Sequence, residues 1–395
     1  MTAPSSVLVV GASVAGLATV QALRRKGYAG RVTVLGAERH PPYDRPPLSK
    51  QILAGTWQPE QAELRRPSDL AALDAEFLLG DPAVALDAPR RRARTASGRE
   101  VAADAVVIAT GASPRSLPAE GPTDHVHTLR TVDDALALRE RLLEHGRTVV
   151  VGDGVLGAEI AATARGLGVD VTLVGPQQTL MGAQLGPEMG ELLTDLHRRH
   201  GTRLHLGTAV AGTDFTRTGS GGVRLADGRL LAAPVAVVAV GCVPGTAWLD
   251  GSGLALDDGV LCDANGRAAD GIHAVGDVAR WSGPDGTAPR RLENRTNAMD
   301  QATTVAARLL GDPRRHDPVP YFWTDQFDAR IHVHGLPTPE AELTVLEGSV
   351  EARRFVAAYQ DQGRTVAVLG WNMPKQARQH RSRLLESPAA GAPAA

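Results

Sequence analysis

Cysteine is nearly absent: the 395 residues contain only Cys242 and Cys262. Their spacing is far from Cys-x-x-Cys, so it suggests no disulfide framework, thiol relay or thiolate metal site. The sequence offers no catalytic triad, no Walker loop and no His/Cys/Asp cluster, and no metal is expected. An excess of one charge is also missing. Lys and Arg total 42 against 44 Asp and Glu, and the net charge of −2 implies neither nucleic acid nor a membrane as partner. No apolar run is long enough to span a bilayer, and a basic leader followed by an apolar core is not seen at the start. A cytoplasmic protein is therefore expected. Aromatics make up only 4%; with abundant Ala, Gly and Arg, this reads as compositional bias. The length exceeds what one core usually holds, so two or three domains are expected.

Glycine carries the pattern. The stretch VLVVGASVAG at 7–16 reads as a strand, a tight loop and the start of a helix. Gly11 lets the turn close, Ser13 stands where the backbone nears a pyrophosphate, and Gly16 lets helix and strand pack closely. The helix N-terminus offers free N–H groups and a positive dipole end to phosphates. A second strand follows at 31–35. Glu38 comes about twenty residues after Gly16, where a carboxylate accepts from a ribose 2′-OH; the competing reading is a solvated loop charge.

A second copy, GDGVLGAE at 152–159, is a full Gly-x-Gly-x-x-Gly between the apolar strand ending at Val151 and a helix, with the next strand at 170–174. One such loop is weak evidence; two in this context indicate two dinucleotide sites. The rival is an internal duplication that kept one working site. At the end of the 170–174 strand a carboxylate would mark NAD and an Arg NADP. The residues there are GPQQ, at 175–178, and leave the nicotinamide choice open.

Other stretches fill the intervals. PPYDRPPLSK at 41–50 predicts a stiff, extended loop that would hold Arg45 and Lys50, or else a plain surface connector. Residues 60–80 read as a short helical stretch, followed by strands near 83–86 and 92–95. AVVIATG at 105–111 and VAVVAVGCVP at 235–244 are buried strands ending at Gly111 and Gly241, and GIHAVGD at 271–277 presents Gly276 and Asp277. A Pro-dotted linker at 113–122 precedes Arg130 and a helix through Leu143. A helix from about Thr296 to Leu310 ends before a second Pro-rich linker. The last segment alternates as strands at 330–334, 343–346, 353–359 and 365–369, the signature of an antiparallel sheet. It closes on a basic helix with Lys375, Arg378, Arg381 and Arg383.

In order, residues 11–16, 42–50, 109–111, 152–159, 240–244, 276–277 and 321–326 (YFWTDQ) resemble the FAD-dependent pyridine-nucleotide oxidoreductases. The likeness is closest to the ferredoxin reductases that serve bacterial cytochrome P450 and ring-hydroxylating dioxygenase systems. It implies an α/β fold with two Rossmann-like dinucleotide-binding domains and a C-terminal α+β domain with an antiparallel sheet. The FAD domain would be discontinuous, at 1–112 and 242–317. The NAD(P) domain would be inserted at 113–241, and the C-terminal domain would span 318–386 before a disordered tail at 387–395.

The same resemblance assigns Gly11, Ala15, Gly16, Glu38, Arg45, Lys50, Ala83, Thr110, Gly111, Arg130, Gly276, Asp277, Arg295 and Trp323 to FAD, with the Trp323 face covering the isoalloxazine. It assigns Gly152, Gly154, Gly157, Glu159 and Gly241 to NAD(P)H. Lys50 and Glu159 resemble the family's paired charges, catalytic at the flavin–nicotinamide junction. The implied activity passes hydride from NAD(P)H to FAD and electrons singly to a ferredoxin-type iron–sulfur protein. A monomer or weak homodimer is expected, and Arg290, Arg291, Arg314, Arg315 and the basic helix are candidate docking cations. Three departures stand out: there is no redox cysteine pair, Gly175 stands where NADH-preferring members are acidic, and Arg295 replaces an apolar or aromatic residue. Two alternatives remain, a flavoenzyme acting directly on a small molecule, whose anion Arg295 would bind, and a redox sensor of the apoptosis-inducing-factor type.

Overall fold

The computed structural model describes residues 3–283, 288–312, 316 and 318–384. Arg314, Arg315 and the tail at 387–395 lie outside the described residues. The chain divides into two compact units. One comprises Met1–Asp44, Glu60–Ser113 and Cys242–Pro318; the other comprises Arg45–Pro59, Pro114–Gly241 and Val319–Ala395.

The first unit is built on a sheet with strand order 267–269, 272–274, 105–108, 6–10, 31–36 and 76–79. Its central strand Ser6–Val10 is buried along its whole length, as a run of β-branched and apolar residues covered on both faces should be. That strand pairs in parallel with Arg31–Gly36 on one side and Ala105–Ile108 on the other. The chain order reverses there, and open α/β sheets bind ligands at the carboxyl edge of such a switch. The helix Val14–Arg25 buries Leu17, Val20 and Leu23, which recur at three-residue spacing along one face. The helix Arg295–Leu309 belongs to the same core through Ala298, Val305 and Ala306.

In the second unit a parallel sheet repeats the plan, with order 126–127, 236–238, 147–151, 170–174 and 203–205. Arg147–Val151 is its switch strand, between Asp170–Val174 and Ala236–Val238. The same unit contains the C-terminal sheet, ordered 321–326, 329–335, 364–371, 354–361 and 342–349, whose neighbours all run antiparallel. The expected mixture of doubly wound sheets and a C-terminal antiparallel sheet is therefore present.

Two local expectations need correction. The prolines at 46 and 47 do not stretch the chain: Pro46–Ser49 is a 3-10 turn with Pro in its first two positions, and Gln51–Ala54 follows as a helical turn. Proline is excluded from helix interiors but suits helix starts, where its missing N–H costs nothing. Within 60–80 a parallel edge strand, Glu76–Leu79, follows the short helices Pro59–Ala62 and Pro67–Ala71. Finally, the sheet of 230–232, 221–225, 210–215 and 119–120 and the long helix Gly182–Arg199 were not anticipated. Gly186 kinks that helix with φ +75°, which blurs its period in the sequence.

Candidate functional site

The two glycine loops have one geometry. In the first unit Gly11 has φ +120°, and a Cβ there would lie 2.1 Å from the Ala109 carbonyl oxygen. A Cβ on Gly16 would lie 1.8 Å from the Gly11 carbonyl oxygen. In the second unit Gly152 has φ +124° with its Cβ position 2.2 Å from the Ala239 carbonyl oxygen. That of Gly157 is 1.9 Å from the Gly152 carbonyl oxygen. Only glycine satisfies either closure.

Each loop feeds a helix that lacks both a side-chain cap and an acidic residue in its first turn. Two other helices are capped by side chains. Thr131 and Asp134 form a capping box on Val132–His145, and Asn294 caps Arg295–Leu309. Free N–H groups at two helix starts beneath Gly-closed turns fit a diphosphate in each unit. At the middle position a Cβ on Gly154 would meet only the Gln184 amide nitrogen, 4.0 Å away, so the backbone there is open to close approach.

Around the first loop, Ala15 and Gly276 come together. Gly276 has φ +75°, and a Cβ on it would be 2.9 Å from that of Ala15. The Gln301 side chain accepts the Gly276 N–H at 2.8 Å. Asp277 is half-buried beside them, and its carbonyl accepts from Arg291 at 3.3 Å. Glu38 accepts the Tyr43 hydroxyl, so a ribose is not its sole donor. The Thr110 hydroxyl donates to the Gly245 carbonyl at 2.7 Å, and the Gly111 carbonyl accepts the Gly245 N–H at 2.8 Å. Ala83 begins an antiparallel strand with half-buried packing on the same core. The Arg295 guanidinium, at the first position of its helix, binds Asp44 at 2.9 Å.

In the second unit packing accounts for the bare position at Gly175. A Cβ there would stand 2.3 Å from Oδ2 of Asp153. Asp153 is buried, and its carboxylate accepts from Gln177 twice, through the backbone N–H and the side-chain amide, each at 2.7 Å. The Gln177 amide oxygen accepts the Ala183 N–H at 2.6 Å. Asp153, passed over in the sequence, thus fills the space that a side chain at 175 needs. Gly241 has φ +94° at its strand end and accepts the Arg115 N–H at 3.0 Å.

Lys50 and Glu159 are brought together by the second unit. The Lys50 ammonium lies 2.6 Å from Glu159 Oε2, and both side chains are largely buried. The Ser49 hydroxyl donates to the same oxygen at 2.5 Å. Oε1 accepts from Thr324 at 2.8 Å. Three donors therefore converge on one carboxylate, which burial requires of a charged group. Nearby, Arg45 donates to the Arg130 carbonyl, and the Arg130 N–H donates to Asp134 at 2.9 Å. Ser49 and Thr324 were missed as functional residues. Strand alternation alone separates Thr324 and Gln326 from Tyr321, Trp323 and Asp325, which share the other face.

On that other face Trp323 stacks on Tyr321 with centroids 5.8 Å apart, and Tyr321 stacks on His334 at 4.7 Å. The cysteines are inert. Burial pushes the Cys242 thiol up to about 11 and Cys262 to about 12, so neither supplies a thiolate near neutral pH. Among the candidate docking cations, Lys375, Arg378, Arg381 and Arg383 are exposed on one helical turn and its 3-10 extension. Arg290 is exposed as well, but Arg291 is half-buried between Asp258 and Glu293. A guanidinium already satisfied by two carboxylates offers little to a partner.

The family model for pyridine nucleotide-disulphide oxidoreductases matches residues 5–302, and that for the reductase C-terminal domain matches 321–395. The chain belongs to the pyridine nucleotide-disulphide oxidoreductase family. It is 37% identical to the ferredoxin reductase component of a chlorobenzene dioxygenase from Cupriavidus sp., over 98% of this chain and 94% of that one. A solved ferredoxin reductase from Rhodopseudomonas palustris superposes with a TM-score of 0.91 at 32% identity, covering 97% of this chain and 95% of that chain. The crystal structure of a covalent putidaredoxin reductase–putidaredoxin complex gives 0.90 at 30% identity, covering 97% and 94%. Among the described residues no helix is long and apolar enough to cross a membrane, and no cluster of three His, Cys, Asp or Glu residues could hold a metal ion.

Proposed function

We infer that this chain is an FAD-dependent NAD(P)H:ferredoxin reductase that supplies electrons to a cytochrome P450 or dioxygenase through a ferredoxin-type iron–sulfur protein. The observation that carries the reading is the buried Lys50–Glu159 pair at 2.6 Å, in a chain whose two glycine loops each fit a dinucleotide diphosphate. We assign 1–112 and 242–317 to FAD binding, 113–241 to NAD(P)H binding and 318–386 to a C-terminal domain, in a cytoplasmic monomer or weak homodimer. Bound FAD supplies the exchange between a two-electron hydride donor and a one-electron acceptor.

The chain's own residues bind, orient and polarise. Gly11, Ala15, Gly16 and Gly276 keep the backbone low so that the first helix start meets a diphosphate, and we assign Glu38, Thr110, Gly111, Asp277 and Ala83 to the same cofactor. We assign Arg45, Arg130 and Trp323 to the same cofactor. Gly152, Gly154 and Gly157 do for the nicotinamide cofactor what the first loop does for FAD, with Gly241 at the neighbouring strand end. Glu159 holds Lys50, whose positive charge would favour an electron-rich cofactor ring beside it. A fixed pair also restricts the donor to a reactive orientation. The exposed Lys375, Arg378, Arg381 and Arg383 suit an acidic ferredoxin.

Arg295 is bound to Asp44 in an ion pair, which weakens its candidacy as an anion-binding residue for a direct substrate. The test is anaerobic reduction of the purified yellow protein by NADH and by NADPH, followed by reoxidation with and without a ferredoxin. Bleaching by neither nucleotide overturns the reading. Rapid reoxidation by a small molecule and none by ferredoxin turns it toward a direct flavoenzyme.

A further inference from the structure

The face of the YFWTDQ strand opposite Trp323 carries polar residues that no role above absorbs. Thr324 and Gln326 are buried, and with His197 they form an unbroken chain that ends on Glu159. His197 Nε2 lies 2.8 Å from Gln326 Oε1. Gln326 Nε2 lies 2.9 Å from Thr324 Oγ1. Thr324 Oγ1 lies 2.8 Å from Glu159 Oε1.

The directions follow from the donor and acceptor chemistry of the network. Glu159 is a carboxylate acceptor, so the single hydroxyl hydrogen of Thr324 points at it. The Thr324 oxygen then accepts, which makes the adjoining Gln326 atom its amide nitrogen. The Gln326 oxygen in turn requires a hydrogen on His197 Nε2. Burial pushes the His197 imidazole down to about 4, consistent with the neutral ring this tautomer needs. Its Nδ1 has no hydrogen-bond partner among the described residues. Every link therefore points its positive end toward Glu159.

We propose that His197, Gln326 and Thr324 are positioning residues, a one-way chain of donors that orients Glu159 and, through its second oxygen, Lys50. The proposal rests on the reading of Lys50 and Glu159 given above. A hydrophobic strand would fill this part of the core at lower desolvation cost, and three linked polar side chains are retained instead. The carboxylate is held on both sides: Ser49 and Lys50 fix Oε2, and Thr324 fixes Oε1. Without Thr324 one oxygen loses its partner, and the carboxylate is free to rotate about its terminal bond and take Lys50 with it.

The test is single-turnover reduction of the FAD-loaded enzyme by saturating NAD(P)H, combined with imidazole nitrogen NMR of the unsubstituted protein with and without FAD. Thr324→Val removes the hydroxyl at constant volume and is expected to slow reduction by about tenfold or more, since small misplacements near reacting groups are costly. Thr324→Ser restores the donor and is expected to stay within about twofold of the unsubstituted rate. In a Glu159→Gln background Thr324→Val adds no further loss, because the two act as a unit. The NMR spectrum is expected to show His197 neutral with its proton on Nε2 in both forms, a readout that needs no substitution and no turnover. Reduction slowed by Glu159→Gln but not by Thr324→Val overturns the chain alone, as does a proton on Nδ1. Reduction unaffected by Glu159→Gln overturns the role of the charge pair and this proposal with it.

Discussion

The Cβ that any side chain at Gly175 would carry falls 2.3 Å from Oδ2 of Asp153, a carboxylate held by two hydrogen bonds from Gln177. A side chain at this position therefore requires Asp153 to move, whichever nicotinamide cofactor the enzyme prefers. Gly175→Ala is expected to displace Asp153 and to lower stability by about 1–3 kcal/mol, the usual cost of breaking a buried hydrogen-bonded site. In an Asp153→Gly background, which also removes the Asp153 Cβ that would lie 2.7 Å away, the same change should cost much less. Thermal unfolding of the four proteins measures the difference, and additive losses would contradict the clash.

The two glycine loops give separable defects. Gly16→Ala forces a methyl group against the Gly11 carbonyl and is expected to yield protein with little flavin. Gly157→Ala makes the equivalent clash in the second unit and should leave flavin content near normal while weakening NAD(P)H binding by at least about tenfold. Flavin absorbance per chain and nucleotide titration check both. Loss of flavin in Gly157→Ala alone would reverse the assignment of the two loops.

Acid should destabilise the protein through buried histidines. Burial pushes both His197 and His273 down to about 4, from an ordinary value near 6.5. As pH falls below the ordinary value the unfolded chain takes up protons that the folded chain refuses, so stability is full above it and is lost on the way down. The loss stops below about 4, where both states are protonated, and amounts to about 3 kcal/mol at most for each ring. His273→Val is expected to reduce the difference between unfolding temperatures at neutral and mildly acidic pH. An unchanged difference would show that His273 is not a source of the acid sensitivity.

The cationic turn at 375–383 predicts a selective defect. Arg378→Ala combined with Arg381→Ala should raise the ferredoxin concentration needed for half-maximal turnover by about tenfold at low salt and flatten its salt dependence. Reduction of an artificial acceptor by NAD(P)H should be unchanged. If both activities fall together, the turn is needed for folding and not for docking.

Much of this was legible in the sequence because it is local. A strand, a Gly-closed turn and a helix lie within about ten residues of each other, and the closure demands glycine whatever surrounds it. Alternation exposed the C-terminal sheet in the same way. The Gly182–Arg199 helix escaped notice because Gly186 interrupts its period, and the 210–232 strands because they are short. Asp153 sat in full view inside the second glycine loop, but only the fold brings Gln177 and the bare Gly175 against it. Lys50 and Glu159 were found through family resemblance, whereas Ser49 and Thr324 hold the same carboxylate and had no motif to announce them. Strand phase tells which residues share a face and not what that face meets.

The closures at Gly16 and Gly157 are made between main-chain atoms, at 1.8 and 1.9 Å from where a methyl group would begin. This has a genetic consequence. A defect in a packed core can be relieved by shrinking a neighbour, since side chains are exchangeable. A carbonyl oxygen is not encoded and cannot be trimmed. Suppressor selections starting from alanine at either position should therefore return true revertants almost alone, and lineages that inherit these loops have no sideways route around those two codons.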